Sequence, residues 1–122
     1  MTDPNFILLY VSNATESAAF YQRLLGRAPV EASPTFAMFA LESGVMLGLW
    51  GRDGVLPAAT PVGGSELAFA VADDTQVLTR HQAWTALGLP TLQAPTRLDF
   101  GFTFVAADPD GHRLRVFAPG AQ

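Results

Sequence analysis

The chain has 122 residues, of which 49% are apolar and 15% charged, so it is long enough for one domain with a hydrophobic core and is not expected to be disordered. The net charge is −4 and the cationic residues are scattered, which excludes the dense basic surface of a nucleic-acid-binding protein. Cysteine and lysine are both absent, which excludes thiolate metal sites, disulfides and Schiff-base chemistry. No apolar run approaches the ~18 residues that span a membrane, and no signal peptide is visible. A cytoplasmic protein without membrane or nucleic-acid partners is expected.

The first half of the chain begins with an apolar, β-prone run, Asn5–Val11, which predicts a buried strand. Asn13 and Glu16 have the spacing of a capping box, so a helix is predicted to begin there, and Gly26 is a suitable C-cap. Three further strands are predicted at residues 29–32, 35–41 and 45–50, with the turn 42–44 between the last two.

The second half repeats this order. Residues 66–71 predict a strand, and Asp73 and Gln76 are a second cap pair before a helix that ends at Gly88. Strands are predicted at 90–94, 100–106 and 113–117. The repetition predicts an α+β fold in one domain, 1–122, made of two βαβββ modules, 1–55 and 62–122, which a Gly- and Pro-rich linker joins. The alternative is an unrelated α+β sandwich in which the repetition is accidental.

Two motifs carry a family resemblance: YVSN…AAFYQRLLG in the first module and DPDGHRLRVF at the end of the second. Together with the duplicated order, they resemble the vicinal oxygen chelate superfamily, which includes glyoxalase I, extradiol dioxygenases and bleomycin-resistance proteins. Within it, the likeness is greatest to phenazine antibiotic resistance proteins. The resemblance covers essentially the whole chain. It implies the glyoxalase/bleomycin-resistance fold, with curled mixed sheets around a cleft, and a homodimer.

Enzymes of this superfamily hold a divalent metal with His and Glu side chains. The matching positions here are Phe6, Leu47 or Leu49, Glu66 and Arg115. Of these, only Glu66 has a side chain that coordinates a cation, and Arg115 brings a permanent positive charge. No metal and no other cofactor is therefore expected. A metal-dependent lyase or dioxygenase remains the alternative function, and stoichiometric metal in the purified protein would favour it.

The remaining polar signals have structural explanations. Asp108–Gly111 has two carboxylates, but its Pro and Gly are typical of a turn. His112 follows this turn and is expected to be a solvent-exposed hairpin residue. His81 is expected to be a partly buried packing residue on the second helix. The two histidines have no metal-ligand spacing.

The expected function is non-enzymatic binding and sequestration of a planar aromatic antibiotic or similar small molecule. Trp50 ends a strand just before the linker and is predicted to stack on the ligand, together with Phe39 or Phe102. Glu66, Arg115 and Asp99 are predicted to orient polar substituents, and Arg115 is expected either to pair with Glu66 or to cap the ligand. The alternatives are core or dimer-interface packing for Trp50, a solvated sheet face for Arg115, and a closed pocket with a structural role.

Overall fold

The predicted α+β order of two βαβββ units is present in the computed structural model, which describes residues 3–120. Contacts within the chain divide it into two units at the bond between Pro61 and Val62. The first unit contains β1 (Phe6–Val11), α1 (Ala14–Leu25), β2 (Glu31–Ala32), β3 (Phe36–Ala40), β4 (Met46–Gly51) and a 3-10 helix (Arg52–Gly54). The second contains β5 (Glu66–Ala70), α2 (Asp74–Ala86), β6 (Thr91–Leu98), β7 (Gly101–Ala107) and β8 (Arg113–Pro119).

Each unit is built on a four-stranded mixed sheet. The strand order is β1-β4-β3-β2 in the first unit and β5-β8-β7-β6 in the second. In both units the first strand runs parallel to the last, and the other pairs are antiparallel. Among the described residues, neither helix has the length and apolar character needed to cross a membrane.

The helices begin where the cap pairs predict. The Asn13 side chain accepts a hydrogen bond from the Glu16 backbone N–H at 3.0 Å, and Asp73 accepts from the Gln76 N–H at 2.9 Å. Gly26 ends α1 with a φ of 70°, a left-handed conformation that favours glycine. Because these caps satisfy backbone donors at the helix N-termini, local sequence is enough to position both helices after their first strands.

Each helix covers one face of its own sheet, here called the helix face; the other is called the open face. In the first unit α1 packs on β3 and β4, and the helix-face residues are almost completely buried: Ala37, Phe39, Leu47 and Leu49. In the second unit the Trp84 ring on α2 lies 5.4 Å from the rings of both Phe69 and Phe104. The apolar cores of both units therefore lie between helix and sheet.

Three strands differ from their predictions. β1 was predicted to be buried, but it is an edge strand that pairs only with β4, and Phe6, Ile7 and Leu8 are 43%, 37% and 46% exposed. β2 is shorter than predicted, with two residues. β6 continues to Leu98 through Pro95, and its pairing with β7 shifts register on the way. An edge strand tolerates a proline because one side of its backbone has no partner strand.

Candidate ligand-binding site

The open face of the first sheet carries a groove of about 580 Å³, here called the aromatic groove. Strand register places the side chains that form it. Phe6 and Leu8 of β1 are in register with Met46 and Gly48 of β4, and Phe36 of β3 is in register with Trp50. The groove is lined by Phe6, Leu8, Glu31, Ser33, Thr35, Phe36 and Trp50. Four of these seven side chains are apolar, and three of the four are aromatic.

Gly48 allows these side chains to close over the centre of the sheet. A Cβ atom at this position would lie 2.7 Å from Leu8 Cδ2, 2.9 Å from Phe6 Cε1 and 3.1 Å from Phe36 Cζ. The side chains from β1 and β3 therefore already occupy the space above the glycine. A glycine within a strand often marks such a close approach, and this is the signal by which the sequence MLGLWG indicates the groove.

Trp50 stands at one end of the groove. Its indole meets the Tyr10 ring edge to face, with 6.3 Å between ring centroids and 78° between planes. The Trp50 side chain is half-buried. A Cβ atom placed on Gly54 would lie 3.8 Å from the indole Nε1, which is an ordinary van der Waals distance. Tyr10 holds one side of the indole in place, while another part of it remains accessible from the groove.

Of the two phenylalanines predicted to stack with Trp50, one lies in each unit. Phe39 is fully buried on the helix face of the first sheet, in register with Leu47, and so points away from Trp50. Phe102 is in register with the buried Ala118 on the helix face of the second sheet, and the Arg97 guanidinium lies over its ring at 5.4 Å. Phe39 is therefore not part of the groove, and stacking by Phe102 stays a prediction. Phe36 and Phe6 line the groove.

The open face of the second sheet carries a polar cluster centred on Arg115. Its Nε donates to Glu66 Oε1 at 2.6 Å, so the first of the two roles expected for Arg115, pairing with Glu66, is present. Its Nη1 donates to Thr103 Oγ1 at 3.2 Å, and its guanidinium lies 5.6 Å from the Phe100 ring centroid. Asp99 lies exposed in the turn between β6 and β7, next to Phe100. Thr103 and Phe100 were not predicted from the sequence as members of this cluster.

These positions do not fit a divalent metal. Leu47 and Leu49, which matched a ligand position, point into the core, and the open-face residues of β4 are Met46, Gly48 and Trp50. None of these three offers a carboxylate or an imidazole. The remaining donor, Glu66, is engaged by the Arg115 guanidinium. Across residues 3–120, no three His, Asp or Glu side chains come together as a metal-binding group.

The histidines stabilise the fold locally. The expectation that His112 is solvent-exposed is wrong. Its side chain is 13% exposed, and its Nδ1 lies 2.6 Å from Oδ2 of the buried Asp108. Asp108 also accepts hydrogen bonds from the backbone N–H groups of Asp110 and His112, so its carboxylate holds the turn between β7 and β8. His81 is the partly buried packing residue that was predicted, with its ring 4.9 Å from that of Phe104.

The polar rim of the groove was also missed at the level of sequence. Glu31, Ser33 and Thr35 come from the region around β2, where the chain shows no clear periodicity. The pairing of β2 with β3 positions this rim, since it sets Glu31 opposite Met38.

Comparisons with known proteins agree over nearly the full length of the chain. The profile of the Glyoxalase/Bleomycin resistance protein/Dioxygenase superfamily matches residues 4–116. The phenazine antibiotic resistance protein EhpR of Enterobacter agglomerans is 30% identical over 116 residues, which cover 93% of this chain and 89% of that protein. A protein of Agrobacterium tumefaciens with a solution NMR structure is 52% identical, with a TM-score of 0.91 and coverage of 99% of this chain and 100% of the other. A glyoxalase-related enzyme of Fulvimarina pelagi is 25% identical, with a TM-score of 0.85 and coverage of 97% of this chain and 88% of the other.

Proposed function

Because the chain belongs to the Glyoxalase/Bleomycin resistance protein/Dioxygenase superfamily, we propose that it is a cytoplasmic protein that binds a planar aromatic antibiotic, or a similar small molecule, and sequesters it without changing it chemically. The observation that carries this proposal is the aromatic groove with Trp50 at one end. Similarity to a phenazine antibiotic resistance protein supports the choice of ligand class.

The groove has the size and surface that such a ligand needs. Its volume of about 580 Å³ lies within the range of small-molecule sites, which are mostly apolar with a few polar groups. Stacking of aromatic rings adds roughly 0.5–1.5 kcal/mol beyond the area buried. Trp50, Phe6 and Phe36 offer three rings on one sheet face. In the second unit, considered by itself, Glu66, Arg115 and Asp99 are proposed to contact polar substituents of a ligand bound at that sheet.

Sequestration requires no catalytic group in the groove. A protein of this kind lowers the free concentration of a drug by mass action, so tight binding is the whole of its activity. The side chains that line the groove include no cysteine, histidine or lysine. Its hydroxyls at Ser33 and Thr35 have no histidine beside them in the lining to act as a base.

We also propose a homodimer. β1 is an edge strand whose Phe6, Ile7 and Leu8 expose apolar side chains on both of its faces. Unpaired strand edges and contiguous apolar surface favour association with another chain. A second copy of the chain, related by a two-fold axis, would pair with the free backbone edge of this strand and contact Ile7, which lies on the helix face beside Leu47, so that the groove on the open face stays accessible.

The proposed function is tested with phenazine as the probe and tryptophan emission as the signal. Binding in the groove is expected to quench Trp50, whereas the buried Trp84 on α2 should contribute little. Trp50→Ala should weaken phenazine binding by about 2 kcal/mol, roughly thirtyfold, because it removes the stacking surface. Trp50→Phe should recover much of this loss, since a smaller ring still stacks.

The melting temperature of the same variants is the control. If Trp50 serves only in packing, Trp50→Ala will lower the melting temperature while the affinity of the folded protein for phenazine is unchanged. That outcome would end the proposal, as would the failure of phenazine to bind the unaltered protein.

A further inference from the structure

We propose that the aromatic groove selects a planar aromatic cation over neutral or anionic molecules of the same shape. The inference rests on the proposed function, because it concerns the charge of the ligand that the groove binds. It follows from the kinds of side chain that line the groove and from the contacts that each of them already makes.

Glu31 is the only ionisable side chain among the seven that line the groove. It lies exposed on β2, and the structure gives it no ion pair with any residue in the range 3–120. The nearest arginine along the chain, Arg27, is engaged elsewhere: it donates to Glu42 at 2.9 Å and to the Ala40 carbonyl at 2.7 Å. The charge that Glu31 brings to the rim is therefore not neutralised by a neighbouring side chain.

Of the two hydroxyl side chains on this rim, that of Ser33 is committed to the local turn. Ser33 Oγ accepts hydrogen bonds from the backbone N–H groups of Thr35 and Phe36, at 3.4 and 3.1 Å, and donates to the Phe36 carbonyl at 3.2 Å. Its hydroxyl is thus already satisfied. The remaining strong acceptor in the lining is the Glu31 carboxylate, which attracts positive charge.

The rings reinforce this preference. The face of an aromatic ring carries a partial negative charge, so a cation placed over Trp, Tyr or Phe is attracted to it, and most strongly to Trp. Trp50, Phe6 and Phe36 therefore act in the same direction as Glu31. The net charge of −4 raises the local concentration of a cation and repels an anion. All three contributions disfavour a ligand carboxylate in this groove.

Three tricyclic probes of one shape test the charge preference: N-methylphenazinium, phenazine and phenazine-1-carboxylate. Titration calorimetry should give N-methylphenazinium an affinity about tenfold higher than that of phenazine, with phenazine-1-carboxylate weakest. Glu31→Gln should reduce the affinity for N-methylphenazinium about fivefold and leave the affinity for phenazine unchanged. Added salt should weaken N-methylphenazinium binding in the unaltered protein more than in this variant.

Glu16→Gln is the matched control, because it removes the same charge from an exposed position in the first turn of α1, outside the groove. It should leave the affinities for all three probes unchanged. Trp50→Ala should weaken the binding of N-methylphenazinium, and this loss would locate the bound cation in the groove.

The outcomes separate the two proposals. If phenazine binds as tightly as N-methylphenazinium, or if Glu31→Gln behaves like Glu16→Gln, the charge preference is overturned and the proposed binding function stands. If none of the three probes binds, the proposed function fails and the charge preference fails with it.

Discussion

In the first unit the open face of the sheet presents aromatic rings with one glutamate at their rim, whereas in the second it presents an arginine–glutamate pair beside a buried threonine. Phe6, Phe36 and Trp50 occupy the first face, and Arg115 and Glu66 occupy the second. The two sheets nevertheless share strand order, strand directions and a capped helix between their first two strands. The difference between the units is therefore a difference of side chains on a common backbone plan.

This comparison shows where function resides in a duplicated fold. The helix faces of both units obey the same requirement, burial of apolar side chains, and so they resemble one another. The open faces carry exposed and half-buried side chains as well as buried ones such as Thr103 and Val105, so they can also carry the chemistry that a ligand needs. Substitutions on the two kinds of face, and in the two units, should therefore have effects of different size and kind.

The largest effect is expected from Gly101→Ala, at the first residue of β7 in the second unit. At Gly101 a Cβ would lie 2.0 Å from the Ala118 carbonyl oxygen, and the φ of 149° is itself unfavourable for alanine. Gly101→Ala should lower the free energy of unfolding by about 3–5 kcal/mol, because overpacking and backbone strain add. Chemical denaturation measures this loss.

Gly48→Ala is the comparison in the first unit. Its Cβ would meet the ends of side chains, with Leu8 Cδ2 at 2.7 Å, and side chains on an exposed face can move. The expected loss of stability is about 1–2 kcal/mol, together with a change in phenazine affinity as Leu8 and Phe6 shift. Equal losses for the two variants would contradict the distinction between a backbone clash and a side-chain clash.

Strands and helices were predictable from sequence because their signals are local. Asn13 and Asp73 cap helices three residues before their backbone partners, and the turn after Leu41 follows from Ser43 and Gly44. Burial of β1 was not predictable, because an apolar run looks the same in a central strand and at an edge.

The composition of the site was less predictable because it depends on register. A shift of one residue exchanges the two faces of a strand, so Phe39 and Phe36 could be assigned to core and groove only once β3 was paired with β4. Trp50 and the Arg115–Glu66 pair were singled out by their matches to family positions, and the structure adds the register that surrounds them.

An intermediate effect is expected from charge placed on the two edge strands. If β1 forms the dimer interface, Ile7→Lys should weaken dimerisation at least hundredfold, about 2.7 kcal/mol, because it buries an unpaired charge there. Light scattering should give the unaltered protein twice the 13.0 kDa of one chain and give this variant the mass of one chain.

Ala68→Lys on β5 is the control, since it adds the same charge to the exposed edge strand of the second unit. It should remain a dimer if β1 alone provides the interface. A mass near 13.0 kDa for the unaltered protein at every concentration would refute the dimer itself.

The smallest effect concerns the ion pair that each unit holds between an arginine and a glutamate. Arg115 and Glu66 are 17% and 31% exposed, whereas Arg27 and Glu42 in the first unit are 33% and 89% exposed. Less solvent around the Arg115 pair means weaker screening, so its coupling should be about 1 kcal/mol, against roughly 0.3 kcal/mol for the Arg27 pair. Double-mutant cycles with Arg→Met and Glu→Gln at each pair measure both values by denaturation.

The cycle is needed because Arg115→Met alone also removes the contacts with Thr103 and Phe100, which cancel in the coupling term. Equal couplings in the two units would mean that burial on the second open face adds nothing to the pair.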